Sequence, residues 1–507
     1  MVVGLLVLAA CRDPDPTSEP VSEPPTDAPL SLTLSATINP HSPLSALASV
    51  TASADVLATI QATDGERTVS TPEVSLVADA AAEVLVLGLR ADRTWTLTAV
   101  AGDTTSASVA VTTDSLPVDH PDCTVTVDSG AEVSDEEVIC TNADTDSGGI
   151  YFCVDRAGET VWWVAQPEGE GVHAFRVLSD GTLAMVSDSR SMIAFLEPSG
   201  APITYYTPSW FKGQTRFQHE WIDLHEVIEI TDGQWAGAVA VLTSTYEEIP
   251  DDRAVRAPGI IVFDRQTGAP LWDWHMLGES LEDGQTIDPL LDFSRAGLYS
   301  TDADWVHANA LLHRVEDGRD IFWMSLRHQD WIIKIDGETD GVLWRLGAEG
   351  DFTLVDDLDA DSPQPLPVDD WMYQQHAPEW QSHDGDRTAL VVFDNGLVRP
   401  TPSGLPYSRV LGFVIDEDTM QAAPTFAYGS DTPPSEDHFF STGVGDADLT
   451  PAGDRLHFVK GYDPDPFLGE VSYPEGVLQW KMVCSDQDEL YRLSAYPSLY
   501  ELTWRTD

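Results

Sequence analysis

The chain has 507 residues, 26 Lys and Arg against 85 Asp and Glu, and a formal net charge of −59. Such a field repels phosphate backbones and anionic headgroups, because nucleic-acid affinity depends on basic side chains that release counterions. The lysines, Lys212, Lys334, Lys460 and Lys481, are too few for a basic stripe, so nucleic acid is excluded as a partner. With 42% hydrophobic residues and 16 Trp the chain can still bury a large core, and its length predicts two or three domains.

Val2 to Ala10 is an apolar run of signal-peptide length, too short to span a bilayer as a helix. It runs into Leu8-Ala9-Ala10-Cys11, which resembles the lipobox of bacterial lipoproteins, where cleavage leaves the cysteine as a lipidated N-terminus. Residues 1–10 therefore read as a signal peptide and Cys11 as the lipidation site. Residues 11–29, rich in Pro and acid, read as an extended tether. The expectation is an exported lipoprotein, at the periplasmic face or outer surface of a bacterium, that meets the membrane only through its lipid. Cys123, Cys140, Cys153 and Cys484 remain, an even number that suits an oxidising compartment. The expected pairs are Cys123 with Cys140, closing a short loop, and Cys153 with Cys484, tying the start of the main domain to its end. No pair has C-x-x-C spacing, so no metal site is assigned to them.

Residues 30–117 alternate Thr, Val, Ala, Ser and Leu in short runs such as Val56-Leu-Ala-Thr-Ile-Gln and Trp95-Thr-Leu-Thr-Ala-Val, the period of a small antiparallel sandwich of immunoglobulin or fibronectin-III type. The approach Gly88 to Trp95 resembles the tyrosine corner of fibronectin domains with Trp in place of Tyr. A spacer or substrate-rim role is expected of this domain.

Residues 118–507 repeat a hairpin in which an apolar strand meets a turn and then an aromatic strand. The copies are Val154 to Trp162, Phe195 to Tyr205, Val262 to Trp272, Lys334 to Trp344, Val414 to Tyr428 and Pro474 to Trp480. Six such hairpins predict an all-β chain whose main domain is a six-bladed β-propeller. A second repeat is offset from the first: His173, His225, His307 and His376 are each followed by an Asp-Gly pair, at Asp180, Asp232, Asp317 and Asp384. Asp-Gly marks a hairpin turn, so each His falls at the start of its blade's first strand, which lines the central channel. His173, His275, His313 and His383 are expected to be ordinary polar residues.

The flanks of the other three are distinctive. Asp304-Trp305-Val-His307-Ala-Asn309, Ser325-Leu-Arg327-His328-Gln329-Asp330, Gln375-His376 and Phe393-Asp394-Asn395-Gly396 stand in the order of the motifs of bacterial arylsulfate sulfotransferases, and Tyr407-Ser408-Arg409 and Tyr491-Arg492 agree with the later pattern. The resemblance covers about residues 30 to 505. It implies a propeller that moves a sulfuryl group from a phenolic sulfate ester to a phenol through a sulfated histidine, with no nucleotide donor and no cofactor. It further implies His376 as nucleophile, Arg327, His307 and His225 as holders of the sulfuryl oxygens, and Asn309 and Thr442 as substrate-binding residues. The absence of a Gly-rich phosphate loop agrees. Glu226, next to His225, is a departure from the family pattern and is expected to pair with it. Trp305, Trp331, Trp371 and Trp380 are candidates either for stacking on phenol rings or for blade packing. Asp356 to Asp361 reads as a solvated acidic loop, with calcium as the alternative. Two other functions stay open: a surface binding or adhesion module on the same propeller, and a metal hydrolase with the histidines as zinc ligands.

Overall fold

The computed structural model describes residues 29–130, 137–145, 148–166, 171–187, 191–249, 253–277, 304, 306–401, 404–431, 437–462, 465–485 and 489–504. The signal-peptide, lipidation (Cys11) and tether expectations lie outside these residues, as does Trp305. No helix among the described residues is long and apolar enough to cross a membrane.

Six sheets follow one another along residues 122–496, antiparallel except where the short Thr353–Leu354 runs parallel to Gln421–Tyr428 at the edge of the fifth. The second blade is Val172–Val177, Leu183–Ser187, Met192–Leu196 and Pro202–Tyr206, with the first strand innermost and the last outermost. The third blade begins with Trp221–Glu229, the fourth with Ala308–Glu316, the fifth with His376–Asp384 and the sixth with Asp446–Leu449. Both chain ends of the propeller are spent on closure. Leu490–Tyr496, the last strand, pairs with Val138–Thr145 as the innermost strand of the first blade, and Asp122–Asp128, the first strand, pairs with Leu478–Ser485 as the outermost of the sixth. The six innermost strands touch in an unbroken ring.

Each neighbouring pair of blades shares one apolar cluster, such as Phe322, Met324 and Ile333 with Ala240, Leu242 and Ile260 between the fourth and third. Both faces of the middle strands are therefore buried, and Leu183–Ser187 and Trp331–Asp336 are buried throughout. The Asp-Gly pairs lie between first and second strands as expected, with Gly181, Gly233, Gly318 and Gly385 at φ of 81°, 82°, 78° and 60°, the region a Cβ disfavours.

The N-terminal unit has two sheets around one core that includes Val50, Ile60, Leu97 and the fully buried Trp95. Trp95 Nε1–H donates to the Arg90 carbonyl at 3.4 Å. Arg90 Nη2 meets Asp155 at 2.7 Å, Arg93 Nη2 meets Glu159 at 3.0 Å, and Asn39 Nδ2 donates to the Ser199 carbonyl at 2.7 Å. Those partners lie in the third-to-fourth-strand hairpins, at the opposite end of the blades from the strand starts that carry the histidines. The sandwich is thus docked away from the channel mouth, and a substrate-rim role does not fit.

The disulfides correct the expected pairing: Cys123 is joined to Cys484 and Cys140 to Cys153. Each pair sits directly opposite on neighbouring strands, with Cα atoms 4.0 Å apart, whereas Cys123 and Cys140 lie in different blades. Cross-strand register, not distance along the chain, brings two Cβ atoms within bonding reach. The acidic loop spends carboxylates on itself and its neighbours, since Asp357 accepts from the Asp359 N–H at 2.9 Å and Asp359 meets Arg387 at 2.7 Å.

Loop-closure entropy makes the two disulfides unequal, because they span 361 and 13 residues. Replacing Cys123 and Cys484 by Ser is expected to lower stability by roughly 2–4 kcal/mol more than replacing Cys140 and Cys153, read from urea midpoints. Equal losses would contradict this assignment of the closure.

Candidate active site

In four consecutive blades the innermost strand slips register near its start, between Val172 and Ala174, Ile222 and Val227, Ala308 and Ala310, and His376 and Glu379. His173, His225, Asn309 and His376 stand in or at these bulges, and a bulge adds twist that re-aims a side chain. His307 and Ala377 take left-handed φ of 52° and 46°, a conformation that costs energy wherever a Cβ is present. The ends of the second strands reach the same mouth, which places Arg327 and His328 after Arg319–Leu326, and Asn395 after Arg387–Asp394.

His225, His307, Arg327 and His376 come together there. The His225 and His307 rings are 4.8 Å apart, and His328 lies 4.9 Å beyond His307. Tyr491, fully buried, stands edge-on to His225 at 6.1 Å and to His376 at 6.0 Å. The next residue, Arg492, donates through Nη2 to the His225 carbonyl at 2.7 Å, to the Asn309 carbonyl at 3.1 Å and to Glu226 at 2.8 Å. Both come from the closing strand. Glu226 does not pair with His225 as expected; it meets Arg492 and Arg176 at 2.8 and 3.3 Å. The partner of His225 is Asp223, 2.6 Å from Nδ1 and itself held by Arg256 at 3.1 Å.

The electrostatics differ from ring to ring. Burial, with the neighbouring His307 and His173 adding to it against the pull of Asp223, brings His225 down to about 4. Burial and His307 bring His328 to about 3. Burial and the Arg327 charge hold His376 well below its ordinary value. Burial alone would raise the Asp304 carboxyl, but His307, whose Nδ1 is 2.6 Å away, keeps it low. His173 is the opposite case: against burial, Asp144 and Glu489, at 3.2 and 3.4 Å from its two nitrogens, lift it to about 10. His313 and His383 are tied to Asp320 and Thr388.

His376 is 1% exposed, and its Nδ1 lies 2.6 Å from Asn395 Oδ1. The Asn395 amide nitrogen donates to the carbonyls of Ser441 at 3.1 Å and Val444 at 2.8 Å, so its oxygen must face the ring. The proton is thereby fixed on Nδ1 and the lone pair on Nε2. Arg327 donates from Nη2 to the Thr442 carbonyl at 2.8 Å, so Thr442 contributes its backbone here. A Cβ on Gly443 would fall 2.9 Å from the Tyr462 ring and 3.2 Å from Arg327 Nη2, so this glycine makes room for both. Asn309 is fully buried and gives Nδ2 to the Gln375 carbonyl at 2.7 Å. The sixth blade is complete and supplies Thr442 and Tyr462.

Below the rings the channel holds a cavity of about 270 Å³, lined by Arg176, Glu379, Asp446, Asp448 and Arg492 among others. Burial raises the carboxyls of Glu379, Asp446 and Asp448, with Asp446 adding to the rise at Glu379, and Glu379 and Asp446 at Asp448. Among the described residues, Asp304, His307 and His328 offer ligand atoms within 4.8 Å of one another at the mouth. Trp331 and Trp371 are buried in blade cores and Trp380 lies under Arg314, 4.5 Å from its ring centroid, so these three pack blades.

A family model described as Arylsulfotransferase (ASST) matches residues 124–470, more than half of the chain. The chain belongs to the arylsulfotransferase family. As an arylsulfotransferase it is an enzyme of sulfuryl transfer, with aryl sulfates and phenols as its substrate classes. The matched stretch contains His225, His307, Arg327, His376 and Asn395, and stops before Tyr491 and Arg492. No curated protein matches the chain. Similar solved structures include TolB from Acinetobacter baumannii, at 12% identity and TM-score 0.37, covering 80% of this chain and 79% of that one. The WD40 domain of Toxoplasma gondii coronin is at 9% and 0.34, covering 74% and 77%. The Dos1 propeller is at 9% and 0.29, covering 68% and 71%.

Asp304, His328, Asn395, Tyr491 and Arg492 carry much of the site, yet the sequence reading gave them no role. All stand inside the quoted motifs, so position in a motif was the available signal. In the arylsulfotransferase, Asn395→Ala is expected to slow nitrophenol release from 4-nitrophenyl sulfate roughly 10- to 100-fold with donor affinity little changed, the usual cost of losing a group that orients a reacting imidazole. An unchanged rate would mean that Asn395 does not set the tautomer.

Proposed function

We propose that the protein transfers a sulfuryl group from an aryl sulfate to a phenol through a sulfated His376, without a nucleotide donor. The observation that carries this reading is the Asn395 hydrogen bond, which leaves the His376 Nε2 lone pair free on a ring that burial keeps neutral. In the first half-reaction Nε2 bonds to sulfur as the sulfur–oxygen bond to the phenol breaks, and phenolate departs. In the second, an acceptor phenol loses its proton, its oxygen takes the sulfuryl group, and the Nε2 lone pair is restored. The proton that the released phenolate takes from water is matched by the one that the acceptor phenol gives up to water, so the cycle balances. The transition state is loose, by analogy with phosphoryl transfer, and charge on its equatorial oxygens is met by preorganised donors. Arg327 supplies the fixed cation. His225 and His307, whose Nδ1 atoms are held by Asp223 and Asp304, stand beside the sulfuryl group and help Arg327 to position it. Asn309 acts by holding Gln375, the neighbour of the nucleophile.

The chain is further proposed to be exported and lipid-anchored at Cys11. The apolar run ending at Cys11 and the two disulfides, which persist in an oxidising compartment, support this.

Rapid mixing with 4-nitrophenyl sulfate tests the reading. A burst of nitrophenol without acceptor, and steady turnover once phenol is added, are expected. Because the folded-state value of His376 is depressed, the nucleophile stays unprotonated as pH falls. The burst rate should therefore hold from pH 8 to about 5.5, where an imidazole of ordinary value, near ~6.5, would lose most of its activity. A burst that halves near pH 6.5 would contradict a neutral, buried His376.

A further inference from the structure

We propose that the channel mouth reads the charge of the transferring group: it accepts one negative charge and refuses two, so an aryl phosphate binds as its monoanion and not as its dianion. This rests on the sulfuryl-transfer reading of the same site. Among the arginines whose side chains are described, Arg327 is the one with no carboxylate in ion-pair contact, its guanidinium being held by the Thr442 carbonyl instead.

The other charges around the mouth are already spent. From the third blade, Asp223 is answered by Arg256. Glu226 takes both Arg176 of the second blade and Arg492 of the closing strand. His173 is enclosed by Asp144 and Glu489, and Asp304 adds a negative charge beside His307. The sixth blade contributes the Tyr462 phenol, which burial and Glu489 keep protonated. At the nucleophile itself no second positive charge arises, because His376 is buried and held by Asn395, and burial opposes its taking up a proton. The chain's net charge of −59 repels each further negative charge.

Sulfate and phosphate monoesters share a tetrahedral shape, so charge is what separates them. The sulfate ester keeps one charge at all working pH values, whereas a phosphate monoester gains its second near pH ~6. A methyl phenyl phosphate diester keeps one throughout and serves as the control.

The experiment measures inhibition of 4-nitrophenyl sulfate turnover by phenyl phosphate and by methyl phenyl phosphate at pH 5 and pH 8. Each inhibition constant is divided by the KM of the sulfate at the same pH, which cancels titration of the protein itself. For phenyl phosphate this ratio should rise at least ~10-fold from pH 5 to 8, as the monoanion disappears; for the diester it should stay within about two-fold. A smaller rise, or a diester that weakens in parallel, would overturn the proposal. Should 4-nitrophenyl sulfate not turn over, the sulfuryl-transfer reading falls, and calorimetric titration with the same two phosphates decides the charge preference by the same criterion.

Discussion

One guanidinium ties ring closure to chemistry. Arg492 enters on the last strand of the propeller and holds the carbonyls of His225 and Asn309, from the third and fourth blades, while Glu226 neutralises it. Until that strand docks in the first blade, neither carbonyl has its donor and the Tyr491 ring is not between His225 and His376. Breaking such a buried pair costs on the order of 3–5 kcal/mol, because it strands a charge away from water. The Cys123 to Cys484 bridge fastens the outer side of the neighbouring blade, so covalent and polar closure act on one seam of the ring.

A chain so acidic has to build its anion site against its own field. Among the described residues it does so by pairing the other arginines with carboxylates and leaving Arg327 at the mouth on a backbone carbonyl alone. Packing then removes water from His225, His328 and His376, which lowers their affinity for protons and preserves a lone pair on the nucleophile. Nucleophilicity and anion attraction are thereby assigned to different side chains: His376 is neutral and buried, while Arg327 is charged and partly open. Deeper in the channel, burial raises the crowded carboxyls of Glu379 and Asp448, which sets that cavity apart from the mouth.

Much of this was legible in the chain. Third-to-fourth-strand hairpins recur with turn residues and aromatics that local rules recognise, and the offset His and Asp-Gly spacing gave the starts of the innermost strands. His225, His307, Arg327 and His376 emerged together because the repeat and the motifs agreed on them. What stayed hidden depends on register and closure. The disulfide partners follow from which strands lie side by side at the seam, and Arg492 reaches the site only because the last strand returns to the first blade. The bulges that turn His225 and His376 inward leave no compositional mark. Glu226 looked like a partner for His225 because they are adjacent in sequence, yet alternation along a strand sends neighbours to opposite faces.

The central claim is that His376 Nε2 carries the sulfuryl group between the two phenols. Intact-mass measurement and peptide mapping after brief mixing with excess 4-nitrophenyl sulfate, with no acceptor present, test it most directly. The account predicts a gain of ~80 Da, the mass of one sulfuryl group, on the peptide containing His376, lost on adding phenol and absent in His376→Ala. Nitrophenol release with the added mass on another residue, or undiminished in His376→Ala, would contradict it.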